Sequence, residues 1–132
     1  MSEFKDVDEA REFFQGDVFA GKNGIVIDEL SEDGCVCSME IGKDHKNAAG
    51  AVMGGAIFTL ADFTFAVAAN SEEMNTVSLT SSITYLSAAR GGKLTAEANC
   101  VRSGRNTCHF IVTVTDSEGR VIASVSTTGF RK

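Results

Sequence analysis

Two rhythms of apolar and polar residues divide this chain of 132 residues. In the first half, Phe4, Val7, Arg11 and Phe14 recur at helical spacing and Gly16 follows as a stop, which predicts a short amphipathic helix. Gly24 to Leu30 and Cys35 to Ile41 predict two strands around the turn Ser31-Glu32-Asp33-Gly34. A polar loop from Gly42 to Asn47 leads into an apolar block, which predicts a helix from near Gly54 to near Asn70. In the second half the period is two. Val77, Leu79, Ile83 and Tyr85 keep it, as do Leu94, Ala96, Ala98 and Cys100, then Phe110, Val112 and Val114, then Val121, Ala123 and Val125. Short turns bearing glycine separate these runs, so four strands in an antiparallel meander, half buried on one face, are predicted.

A sheet with one apolar face needs a cover. The helix from Gly54 is apolar nearly all round, which predicts burial on every side. Both requirements are met by an α+β fold in one domain, residues 1–132, with an antiparallel sheet wrapped around one long central helix.

Composition narrows the partners. The apolar share of 43% and the charged share of 23% are those of an ordinary globular protein. A net charge of −6 argues against nucleic acid or an anionic membrane surface, which need a basic face. The opening Met1-Ser2-Glu3-Phe4-Lys5-Asp6 is polar and acidic, unlike a secretory signal, so a cytoplasmic location is expected. Cys35, Cys37, Cys100 and Cys108 lack the paired Cys-x-x-Cys spacing of zinc sites and are expected to be small core residues, with no metal. The run from Ala48 to Ala69 is long enough to cross a bilayer. Asp62 near its middle would cost about 3 kcal/mol there, and three glycines interrupt its first third, so a helix inside the protein fits better.

Asp62 is the only ionisable residue between Lys46 and Glu72. A carboxylate within a buried helix is costly unless paired or protonated, and Asp62 is too far into the helix to cap it, which marks it as a candidate site. The preceding run Gly50-Ala51-Val52-Met53-Gly54-Gly55 would let a ligand approach backbone N–H groups at a positive helix terminus. Eight residues separate Gly54 from Asp62, about 12 Å along a helix. An oxyanion donor and a base must both lie within about 3 Å of adjacent reacting atoms, so one helix cannot supply both. A dimer with two composite sites is therefore expected.

The run from His45-Lys46-Asn47 through Gly50 to Met53-Gly54-Gly55, continuing to Leu60-Ala61-Asp62, resembles the signature of the phenylacetate-pathway (PaaI-type) hotdog thioesterases. The likeness extends through Asn70, Val77-Ser78, Ile83-Thr84-Tyr85 and the turn Gly104-Arg105-Asn106-Thr107. The resemblance implies the hotdog fold and hydrolysis of an acyl-CoA, small aryl or medium-chain, with coenzyme A as part of the substrate and no other cofactor. It implies a homodimer or a dimer of dimers, that is a homotetramer. Asp62 would be nucleophile or general base, Gly54 would polarise the thioester carbonyl through its N–H, and Asn47 would orient the reacting groups. Gly54 and Asn47 would come from the second subunit, and Ser78 would position water near the carboxylate. His45, Met53 and Gly55 of the same motif fall among the substrate-binding positions. Met53 stands where the family commonly has histidine, which keeps open a non-catalytic acyl-CoA-binding protein or sensor on the same fold. Arg90, Lys93, Arg102 and Arg105 would suit the phosphates of coenzyme A.

Overall fold

The computed structural model describes residues 4–71 and 73–132; the first three residues of the acidic opening lie outside that range. Helix α1 (Val7–Phe13) begins where the Asp6 side chain accepts the Glu9 N–H at 2.9 Å. It passes through one 3-10 turn (Phe14–Gly16) into a second short helix, α2 (Val18–Lys22), which the periodicity of the sequence does not predict. Five residues are too few to display a helical period. Strands β1 (Ile25–Ser31) and β2 (Gly34–Glu40) form the expected hairpin. The polar loop that follows contains a 3-10 turn at Lys43–His45. Helix α3 (Gly54–Ala69) then precedes β3 (Thr76–Tyr85), β4 (Lys93–Ser103), β5 (Thr107–Asp116) and β6 (Val121–Arg131).

All six strands form one antiparallel sheet in the order β1-β2-β4-β5-β6-β3. The predicted four-strand meander holds for β4-β5-β6 only. Strand β3 does not pair with β4; it lies at the far edge against β6, because β2 already occupies the free side of β4. One face of the sheet carries Leu94, Ala96, Phe110, Val112, Val114, Ala123 and Val125, all buried, and α3 packs across it against β2, β4 and β5. Rings join the layers: Phe65 of α3 meets Phe110 edge-on at 5.5 Å, and Phe63 meets Phe14 at 5.6 Å. Cys35 and Cys37 are buried free thiols facing the helix, as a core role requires.

The helix is not buried on every side. The sheet covers one face and the N-terminal helices cover a flank, but Gly55 and Asp62 remain exposed and Thr59 and Ala66 only half-buried. These four are spaced by three or four residues and so form one stripe directed away from the sheet. Among the described residues no helix is long and apolar enough to cross a membrane.

Asn70 ties the end of α3 to the edge strand. Its amide donates to the carbonyls of Ala66 at 2.9 Å and Thr76 at 3.2 Å, and its oxygen accepts the Thr76 N–H at 2.9 Å. The residue is 2% exposed, so water cannot replace these bonds. Asn70→Ala should therefore lower stability by about 2 kcal/mol or more in urea unfolding, since buried backbone groups would lose their partners. A change below about 0.5 kcal/mol would show that the clamp is dispensable.

Candidate active site

The loop before α3 is fixed from within. Asn47 Oδ1 accepts the N–H groups of Ala49 at 2.9 Å and Ala51 at 3.1 Å, and the Asn47 N–H donates to Ala51 O at 2.8 Å. Gly50 closes this turn at φ +83°, a conformation that favours glycine. His45 is buried, and both ring nitrogens are engaged: Nδ1 accepts the Gly42 N–H at 2.9 Å, which leaves Nε2 protonated to donate to Asn23 O at 3.1 Å. The His45 carbonyl in turn accepts the Met53 N–H at 2.8 Å. His45 and the Asn47 oxygen thus serve the shape of the loop, a role the motif alone does not reveal.

This loop delivers a helix start with free donors. Met53 is exposed and makes no side-chain cap, so the N–H groups of Gly54 and Gly55 have no partner among the described residues. The Gly54 carbonyl accepts the Tyr85 hydroxyl at 2.9 Å, and a Cβ at Gly54 would lie 2.8 Å from that oxygen. Glycine here lets the end of β3 hold the helix terminus in place. A recess of about 470 Å³ opens beside it, walled by Val52, Gly54, Ile57, Tyr85 and Leu86.

Asp62 faces a different recess, of about 250 Å³, walled by Asp17, Val18, Phe19, Thr59 and Phe63. No residue lines both recesses. The carboxylate is exposed rather than buried, because its stripe of α3 is the one the sheet leaves open. Partial desolvation raises its pKa above the usual carboxylate value, and the negative charge of Asp17 raises it further. Burial raises the pKa of Asp17 as well. Sequence reasoning missed Asp17, because nothing local shows that it meets a helix 45 positions later. It also left Tyr85 as a strand residue.

The remaining predicted site residues fall in two groups. Ser78 pairs with Gly129, and Ser81 pairs with Thr127, so both lie on the helix side of β3. Ser78 is exposed, and Ser81 shares a hydrogen bond with Thr127 Oγ1 at 3.0 Å. The four basic residues form no single cluster. Arg90 and Lys93 stand exposed at the sheet end that carries the α3 N-terminus, whereas Arg102 and Arg105 lie at the other end of β4. Eleven residues of strand, about 33 Å, keep the pairs apart.

Comparison with known proteins resolves the class. Residues 49–123 match the model of the thioesterase superfamily. A "Putative esterase" of Archaeoglobus fulgidus is 39% identical over 104 residues, 78% of this chain and 68% of its own length. The chain belongs to the thioesterase superfamily. As a superfamily member it is a thioester hydrolase with the hotdog fold. The structure of the PaaI protein from the phenylacetic acid degradation operon of Escherichia coli superposes with a TM-score of 0.85, at 25% identity over 93% of this chain and 90% of that one. A hypothetical thioesterase with coenzyme A from Streptococcus pneumoniae superposes with a TM-score of 0.80, at 29% identity over 92% and 94%. The PaaI-type likeness of the sequence is supported in both fold and family.

The pKa shift sets a testable sign. If Asp62 is the base or nucleophile, it works ionised, and activity should then fall as pH drops through its raised pKa. Asp17→Asn removes one cause of the rise, and the acid limb of the kcat/KM profile should move to lower pH. An unmoved limb would show that Asp17 does not act on Asp62.

Proposed function

We propose that this thioesterase hydrolyses an acyl-CoA to a free carboxylic acid and coenzyme A in the cytoplasm, at a site shared between two copies of the chain. One observation carries the reading: the carboxylate and the helix-terminal donors open onto separate recesses within one chain. A second copy, facing the open stripe of α3, would bring its Gly54 and Gly55 N–H groups to this chain's Asp62. The edge strand β3 supports such an approach, since its outer side is unpaired among the described residues and Val77 and Leu79 are 40% and 59% exposed. Two strands meeting there about a two-fold axis would extend the sheet.

In that composite site the thioester oxygen accepts the N–H of Gly54, with the positive end of α3 behind it. Asp62 then either attacks the carbonyl carbon itself or takes a proton from an attacking water. The C–S bond breaks, the sulfur leaves as thiol after gaining a proton, and water supplies the second carboxylate oxygen of the product. Asn47 holds the donor loop, and Ser78, on the helix side of β3, orients water. Arg90 and Lys93, exposed near the α3 N-terminus, suit the coenzyme A phosphates. The S. pneumoniae protein with coenzyme A supports that substrate class.

A panel of acyl-CoAs with a thiol-reactive dye tests the reading: free thiol should appear, and Asp62→Asn should reduce turnover by about a hundredfold or more. The variant should melt at the same temperature or higher. The raised pKa means that ionised Asp62 costs the folded chain stability, so its contribution is favourable below the unfolded pKa and lost as pH rises through the folded one. Tight binding of acyl-CoA without thiol release would favour the binding-protein alternative that Met53 keeps open. Unchanged turnover in Asp62→Asn would remove the role given to this residue.

A further inference from the structure

A third and larger cavity adjoins the recess of Asp62. It measures about 500 Å³, within the range of small-molecule sites, and Phe14, Ile25, Ile27 and Phe63 give it an apolar wall. Two residues line both this cavity and the recess of Asp62: Ala20 and Phe63. They stand where the two spaces adjoin, and Ala20 is the one buried residue of α2. The partition between the two spaces is therefore made by one small side chain of α2 and one ring of α3. The exposed Val18 and Phe19 of α2, 57% and 70% accessible, flank the recess on the Asp62 side.

We propose that the acyl group of the substrate is an unbranched aliphatic chain whose tail passes between Ala20 and Phe63 and ends in this cavity. The inference rests on the hydrolase reading and specifies its substrate. A ring bonded directly to the thioester carbonyl would end in the recess of Asp62 and leave the larger cavity unfilled. A flexible chain can turn past Phe63 and bury its methylenes against Ile25 and Ile27. Charge at the far end of the chain is not favoured. Arg11, the one cation in the wall, already donates Nε to Ile27 O at 2.8 Å and Nη1 to Asp8 at 3.2 Å.

Each methylene that enters an apolar cavity should raise kcat/KM by about fourfold. Hydrolysis should therefore climb from butanoyl- to octanoyl-CoA. Ala20→Phe fills the passage and should cut the ratio of octanoyl to butanoyl kcat/KM by about tenfold or more. An unchanged ratio in a folded variant would place the tail elsewhere and overturn the proposal. A measurement on the unaltered protein needs neither the variant nor turnover: S-octyl-CoA, a thioether that cannot be hydrolysed, is bound and its terminal methyl located by NMR. Contacts from that methyl to Ile27 and Phe14 support the cavity, and contacts confined to other residues overturn it. If no acyl-CoA releases thiol, the hydrolase reading itself fails, while the thioether still decides where an aliphatic chain lies.

Discussion

Helix α3 carries apolar side chains on nearly every face, yet one curved sheet can desolvate only part of its circumference. The sheet and the N-terminal helices bury Ile57, Leu60, Ala61, Phe63, Thr64, Phe65, Val67 and Ala68. Past the half-buried Gly54, Ala56 and Phe58 of its first turns, what remains is a stripe of small residues with one carboxylate in it. Gly55, Thr59 and Ala66 let another surface come close to the helix, and Asp62 supplies the charge that surface would meet. The fold and the exposure of Asp62 thus follow from the same shortage of covering area.

The shortage has an electrostatic consequence. Asp62 sits at the border between solvent and the apolar wall of α2, so it is partly stripped of water without gaining a cation. A structural aspartate in this protein looks different. Asp116 is also desolvated, but backbone N–H groups of Arg90, Arg120 and Glu118 and the charge of Arg120 outweigh that burial and hold its carboxyl below the usual range. It stabilises the ionised form at a turn. Asp62 has no such partners among the described residues, and a carboxylate left under-solvated is a better base or nucleophile than one held by donors.

Much of this was legible in the sequence because it rests on local periodicity. The period of two in β4, β5 and β6 and the unbroken apolar run of α3 need no knowledge of distant contacts. The position of β3 was not legible, since pairing order depends on which strand edge is already taken. The exposure of Asp62 was misjudged for a related reason: an apolar run implies burial, but not whether one chain or two provide it. The motif from His45 to Asp62 named the candidate residues, while their contacts came from geometry. His45 and the Asn47 oxygen build the loop, and Arg102 and Arg105 lie a strand's length from Arg90 and Lys93. Asp17, Tyr85 and Ala20 became visible only through contacts far apart in sequence.

The central claim, one site built from two chains, is tested most directly by mixing two inactive variants. Asp62→Asn removes the carboxylate. Gly55→Asp places a carboxylate on the helix-terminal donors, at a position where a Cβ meets nothing within 4 Å and negative charge suits the helix. Random pairing of equal amounts after joint refolding makes half the dimers mixed, each with one intact site of two, so about a quarter of the unaltered activity should return. Activity that stays at the level of the separate variants would show that Asp62 and the α3 terminus act within a single chain.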